Sequence, residues 1–257
     1  MRPTTLYKSA VLDGAAPGGA ALDGPLDWLK EKLSPGKPAP KRDTSAYDAL
    51  IRKYATRRDF PPHYAKGMIH VESAFDPKAK GPSNEIGLMQ FLPSTAKSLG
   101  LVPESLEDPD TAIRAGTTYI AQIIDGTLVP NLKAPIHPIL KVKLAQFGYT
   151  AGPTFLKEIL KRYGANAAVL SSPTNFDLMV DSLRGNPLTE KFEKLVPNFL
   201  NSRKQVVGRY QYWAERYAPD FGYPPSPVEP NKSSMSMASV GLLGLAAVGA
   251  TLWKLRK

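Results

Sequence analysis

The sequence predicts a mainly α domain over residues 43–221 of a 257-residue chain, on three observations. Apolar residues recur at three- and four-residue spacing through most of this stretch. Pro or Asp stands at the head of several periodic segments, where helices start. Alternating runs of the kind that make half-buried strands are nearly absent.

Residues 1–42 come first, as a flexible segment. Gly14 to Gly19 is small and turn-forming, a composition that cannot bury a core. Pro25 to Leu33 has the spacing of a short amphipathic helix, and Ser34 to Arg42 reads as an extended, basic, Pro-rich linker. Asp43, Thr44 and Ser45 then offer N-caps for a helix carrying Tyr47, Leu50, Ile51 and Tyr54. A second helix starts at Pro61-Pro62 and carries Tyr64, Met68, Ile69 and Val71 up to Glu72. A loop rich in Pro, Gly and Asn leads to a short helix from Pro93 to Leu99, stopped by Gly100. Asp108 caps a longer one, with Ile113, Gly116, Tyr119, Ile120 and Ile123 on one side. His137 to Tyr149 continues the pattern. So do 153–163, 174–184, 190–200 and 203–217, the last holding Tyr210, Tyr212, Trp213 and Tyr217.

Residues 222–234 read as a second Pro-rich linker, and 235–257 as a C-terminal transmembrane helix with a basic end. Met235 to Trp253 carries no charge and has about the length of a membrane span of roughly 20 residues. Trp253, Lys254, Arg256 and Lys257 suit an interface. The alternative is an Ala/Gly-rich helix packed in an assembly. The basic end is expected on the cytoplasmic side and the rest of the chain opposite. No secretory signal precedes Asp13, so crossing is expected to be driven by the C-terminal tail or achieved by an unusual route.

The net charge of +10 implies an anionic partner, such as a bacterial wall or an anionic lipid. No long basic run and no RNA-binding or zinc-finger pattern occurs, so nucleic acid is not an expected partner. The chain has no cysteine, which excludes disulfides and thiol chemistry. His63, His70 and His137 lack metal-ligand spacing, and neither a metal nor a cofactor is expected.

The chemistry concentrates between Glu72 and Ala96. Glu72 ends an apolar helix, where the macrodipole disfavours a carboxylate. Met68, Ile69, Phe75, Leu88 and Met89 can desolvate it, which raises its pKa further. A carboxyl kept protonated near neutrality is the group that cleaves a glycosidic bond by proton donation.

Glu72-Ser73-x-Phe75-x-Pro77-x-Ala79, then Gly87-Leu88-Met89-Gln90-x-x-Pro93-x-Thr95-Ala96, resembles the catalytic domain of lytic transglycosylases of the soluble-lytic-transglycosylase type, whose fold is lysozyme-like. Asp108-Pro109 through Ala115-Gly116-x-x-Tyr119, and Tyr149-Thr150-Ala151-Gly152-Pro153, agree in order, with a fainter match at Ser202-Arg203-x-x-Val206. The resemblance covers about residues 45–215. It implies that Glu72 protonates the bond between N-acetylmuramic acid and N-acetylglucosamine in peptidoglycan. The same Glu72 then takes a proton from the C6 hydroxyl, closing a 1,6-anhydro ring. It further implies that Tyr149 hydrogen-bonds Glu72 and that Met89 and Gln90 line sugar subsites. Ser73 would brace the loop, and Gly87 would let the backbone approach substrate or turn tightly. Tyr119 is divided between cleft and core.

Three departures stand out. Gly81 replaces a cleft Ser, Asn84-Glu85 replaces Gly-Ala, and Thr150 replaces Asn. Asn84 can adopt the left-handed turn. Glu85 adds a second carboxylate, read first as a solvated loop charge. Aimed into the cleft, it would activate water and make an inverting muramidase. The expected function is therefore a peptidoglycan lytic transglycosylase, membrane-anchored through 235–253, in a phage virion or a bacterial envelope. The alternatives are a hydrolytic muramidase and a non-catalytic wall-binding or virion structural protein.

Overall fold

A computed structural model describes residues 43–224 apart from 57, 59 and 82. The expectations for residues 1–42 and for the transmembrane helix at 235–257 lie outside the described residues. Among those described, no helix is long and apolar enough to cross a membrane.

The main helices are α1 (Asp48–Thr56), α2 (Pro62–Ser73), α3 (Pro93–Ser98), α4 (Pro109–Ile123), α5 (Pro138–Ala151), α6 (Pro153–Tyr163), α7 (Phe176–Asp181), α8 (Pro187–Leu195) and α9 (Phe199–Tyr217). Six of these open on a proline, whose fixed φ suits a first turn and whose missing N–H has no helical partner there anyway. Asp108 caps α4 by accepting the Thr111 N–H at 2.9 Å, as expected. The helix expected over 190–200 is instead divided. Pro197 pushes Val196 out of the helical region, and Asn198 turns left-handed at φ 62° before α9 starts. The 174–184 segment is likewise shortened to α7 after a 3₁₀ turn at Pro173–Asn175.

Two apolar cores result. One holds Ile51, Phe60, Met68, Ile69, Leu88, Met89, Ile113 and Ile120; the other holds Leu140, Leu144, Phe147, Leu156, Ile159, Met179 and Phe199. Helix α9 serves both, Tyr210 and Val206 in the first and Leu200 and Val207 in the second. Tyr119 and Tyr149 border both cores.

Helices α2 and α9 lie antiparallel. Lys66 reaches Asp220, Gly67 faces Tyr210 and Ala214, and Glu72 meets Tyr210. The approach at Gly67 is close enough that a Cβ there would come 2.6 Å from the Tyr210 carbonyl oxygen and 2.7 Å from Ala214 N. Beyond that crossing, the buried Lys66 ammonium donates to Asp48 at 2.9 Å and Asp220 at 2.7 Å, tying α1, α2 and the turn after α9 together.

Gly67→Ala gains about 1 kcal/mol of helix propensity but forces a methyl onto backbone atoms that cannot rotate away, an overpacking that costs about 1–3 kcal/mol. The clash is expected to win. A lower denaturation midpoint with an unchanged m-value is the measurement that checks it.

Candidate active site

Glu72 occupies the last turn of α2. Ala74 and Phe75 follow in the left-handed region, at φ 49° and 62°, and turn the chain off the helix at once. The loop that begins there wraps back across the helix end, leaving Glu72 9% exposed. Burial pushes its carboxyl up from 4.5 to about 7. The Tyr210 hydroxyl and the Arg203 guanidinium oppose the rise, and the Glu85 carboxylate adds to it. At neutral pH a substantial share of Glu72 therefore carries its proton, the state a general acid requires.

The hydrogen bond to Glu72 comes from α9. The buried Tyr210 hydroxyl donates to Glu72 Oε1. Tyr149 was the expected donor, and here the structure differs. Its hydroxyl donates to the Met89 carbonyl at 2.6 Å, because α5 aims it at the turn spanning Gly87 to Gln90, while the α2–α9 pairing has already placed Tyr210 on the carboxylate. Tyr149 is still close enough to Glu72 for the carboxylate's charge to help raise its phenol well above 10, after burial. Arg203, on the same stripe of α9 as Tyr210, is 1% exposed. Burial lowers its guanidinium to about 10 against the pull of Tyr210, Glu72 and Glu85.

In the turn expected to face the sugar, Met89 lies in the core and Gln90 is half-buried. Met89 is 1% exposed, and its side chain packs on Gly116, where a Cβ would stand 2.5 Å from Met89 Cε. Gln90, at φ 47°, donates from Nε2 to the carbonyls of Gly87 at 2.9 Å and Ala79 at 3.1 Å, so its amide holds the loop closed. Gly87, at φ 75°, is needed for the turn and for a close approach to protein. A Cβ there would meet the Leu106 carbonyl oxygen at 2.0 Å. Ser73 bonds within its own helix, to the Ile69 carbonyl at 3.1 Å, and Thr150 likewise to Phe147 at 3.2 Å. Tyr119 is half-buried and meets Tyr149 edge-on at 5.5 Å, so packing is its visible role.

Asn84 adopts the left-handed conformation expected of it, at φ 62°. Glu85 is not the solvated charge first expected. It is 6% exposed, Oε2 accepts the Ser83 N–H at 2.8 Å, and burial raises its carboxyl pKa. His63 and His70 pack on aromatic rings, His70 stacked on Trp213 at 3.5 Å. Among the described residues no group of three or more His, Cys, Asp or Glu is placed to hold a metal ion.

Residues 49–170 match the family described as Transglycosylase SLT domain. This part of the chain is similar to transglycosylase SLT domains. Soluble lytic murein transglycosylase of Escherichia coli K12 is 36% identical over 86 residues, covering 30% of this chain and 13% of the relative. Membrane-bound lytic murein transglycosylase C of Haemophilus ducreyi is 38% identical over 173 residues, covering 64% of this chain and 45% of the relative. The chain thus spans less than half the length of these relatives. The crystal structure of the 70 kDa soluble lytic transglycosylase of Escherichia coli has a TM-score of 0.48 at 24% identity, over 77% of this chain and 26% of that one.

The SLT match ends at Leu170, yet Tyr210 and Arg203 reach Glu72 from beyond it. Sequence reasoning placed Tyr210 only on an aromatic helix. A signal was present: Arg203, Val206, Tyr210 and Ala214 share one face of α9, and an arginine on a buried stripe asks for a carboxylate.

Tyr210→Phe removes the bond that favours ionised Glu72, so Glu72 is expected to titrate above its value of about 7. Carboxyl-carbon NMR across pH 5–9 reads this without substrate. Because Glu72 holds its proton more tightly folded than unfolded, it contributes stability below about 4.5 that is lost as pH rises through about 7. Glu72→Gln escapes that loss. It is expected to gain on the order of 1–3 kcal/mol over the parent between pH 4 and pH 8, as measured by denaturant titration at the two pH values.

Proposed function

We propose that the chain cleaves the glycan strands of peptidoglycan as a lytic transglycosylase. Glu72 acts first as acid at the bond between N-acetylmuramic acid and N-acetylglucosamine. It then acts as base on the C6 hydroxyl, leaving a 1,6-anhydro end. The observation that carries this reading is the buried Glu72 carboxyl, which lies within the residues that match the SLT domain and is held by Tyr210 from beyond them, with a pKa of about 7 that suits both roles. The names of the relatives support murein as substrate, and the net charge of +10 favours an anionic wall. Tyr149 fixes the Met89 turn behind the acid, and Tyr119 supports Tyr149.

The hydrolytic alternative needs a second carboxylate open to water. Glu85 is nearly closed off, with an oxygen occupied by a backbone N–H, which weighs against it.

We further infer a cell-envelope setting with attachment through 235–253, supported by the uncharged run there and by membrane-bound relatives. A virion setting has no support among these relatives, which are bacterial.

Purified sacculi digested with the full chain in detergent are expected to release muropeptides with anhydro ends by mass spectrometry. Reducing muramic ends would replace this reading by a hydrolase. Binding with no release would leave a wall-binding protein. Glu72→Gln is expected to lower release by at least about a thousandfold, the upper part of the range for acid–base catalysis. Deletion after Lys232 is expected to move the protein from the detergent phase to the aqueous phase.

A further inference from the structure

Two departures from the family pattern, Gly81 and Glu85, meet in space. A Cβ built on Gly81 would stand 2.3 Å from Glu85 Oε2 and 2.9 Å from Gln90 Oε1. The Glu85 carboxylate already fills the volume into which a side chain at 81 would project. The backbone pairs the same two residues: Gly81 N–H donates to the Glu85 carbonyl at 2.9 Å, and Asn84 N–H to the Gly81 carbonyl at 3.0 Å. Glu85 is 6% exposed, with Oε2 on the Ser83 N–H. A carboxylate buried this far is costly without compensation. Hydrogen bonds from the loop backbone and the Arg203 guanidinium, which also acts on Glu72, offset part of that cost, and burial still holds the Glu85 carboxyl above its usual range.

We propose that Glu85 is a positioning residue for the Glu72 site. It takes the place of a side chain at 81, pins the loop beside the acid, and sets its charge against that of Arg203 at Glu72. This rests on the reading of Glu72 as the acid. The charged and titratable groups that act on Glu72 are Arg203, Arg209 and Tyr210 from α9, Tyr149 from α5 and Glu85 from the loop. Glu85 opposes ionisation of Glu72, and Arg203 favours it. Neutralising Glu85 leaves Arg203 to act on Glu72 alone, so the acid loses its proton at lower pH.

The test compares the full chain with Gly81→Ser, Glu85→Ala, the double variant and Glu85→Gln. The readouts are rates of muropeptide release, pH–rate profiles and thermal midpoints. In the parent background Gly81→Ser must expel the carboxylate, and is expected to lower kcat about tenfold; in the Glu85→Ala background the volume is empty, and the same change is expected to cost less than about twofold. Equal losses in both backgrounds overturn the proposal. Glu85→Gln keeps the shape without the charge and is expected to move the alkaline limb of the pH–rate profile down by roughly half a pH unit to one unit. A limb that stays in place, with kcat alone reduced, means a loop brace without reach to the acid, and overturns it too. Thermal midpoints should show the same non-additivity between 81 and 85 without reference to catalysis. If Glu72→Gln keeps full activity while that coupling holds, the acid assignment has failed and the pairing of 81 with 85 has not.

Discussion

The close crossing of α2 and α9 is the constraint on which the site depends. With no side chain at Gly67, the two backbones approach until the α9 carbonyls and amides touch α2 directly. That distance decides which α9 groups reach the end of α2. Tyr210 lands on the Glu72 carboxylate, and Arg203, two turns earlier on the same face, lies within electrostatic range of both buried acids. At the other end of the crossing, Lys66 binds Asp48 and Asp220, which fixes the register at which α9 stops. A slide of one turn would separate Tyr210 from Glu72 and Lys66 from Asp220 together. The acid's environment and the closure of the domain are therefore set by one packing arrangement.

Backbone strain is concentrated in the segment that covers the acid. Ala74, Phe75, Asn84 and Gln90 all lie in the left-handed region, and only Asn198 joins them among the other described non-glycine residues. Each costs on the order of 1–2 kcal/mol and persists because neighbouring groups over-determine it. Gln90 binds two carbonyls across the loop, Ile86 and Phe91 exchange backbone hydrogen bonds, and Met89 is anchored on Gly116. A loop held this way behaves as a fixed wall.

The helical frame was legible because α2, α4, α5 and α6 combine apolar periodicity with a proline or Asp start, two local signals that agree. The burial of Glu72 was legible for a similar reason: a helix-end glutamate inside apolar sequence is locally anomalous. The break at Pro197 was missed because apolar spacing continued through it. The direction of side chains in the Gly87 to Gln90 turn was not legible either. Periodicity has no meaning within four residues of turn, so Met89 was placed on the cleft when it lies in the core. Tyr210 was missed because its role depends on pairing with a helix more than a hundred residues earlier. Glu85 was misjudged for a related reason, since the space it fills is defined by an absent side chain at Gly81.

A carboxyl that must donate a proton and then accept one gains from neither a strongly raised nor a normal pKa. With the first, the carboxylate would be too rare to take the second proton; with the second, the acid would be too rare to give the first. Burial alone, at the end of a helix and beside Glu85, drives Glu72 towards the first extreme. Tyr210 and Arg203 stabilise the ionised form and draw it back, to about 7. Their presence explains why so much polarity is buried at one point of an apolar domain. A guanidinium and a phenol far from water are poor contributors to stability by themselves. On the proposed reading, they set the proton affinity of a carboxyl that works in both directions.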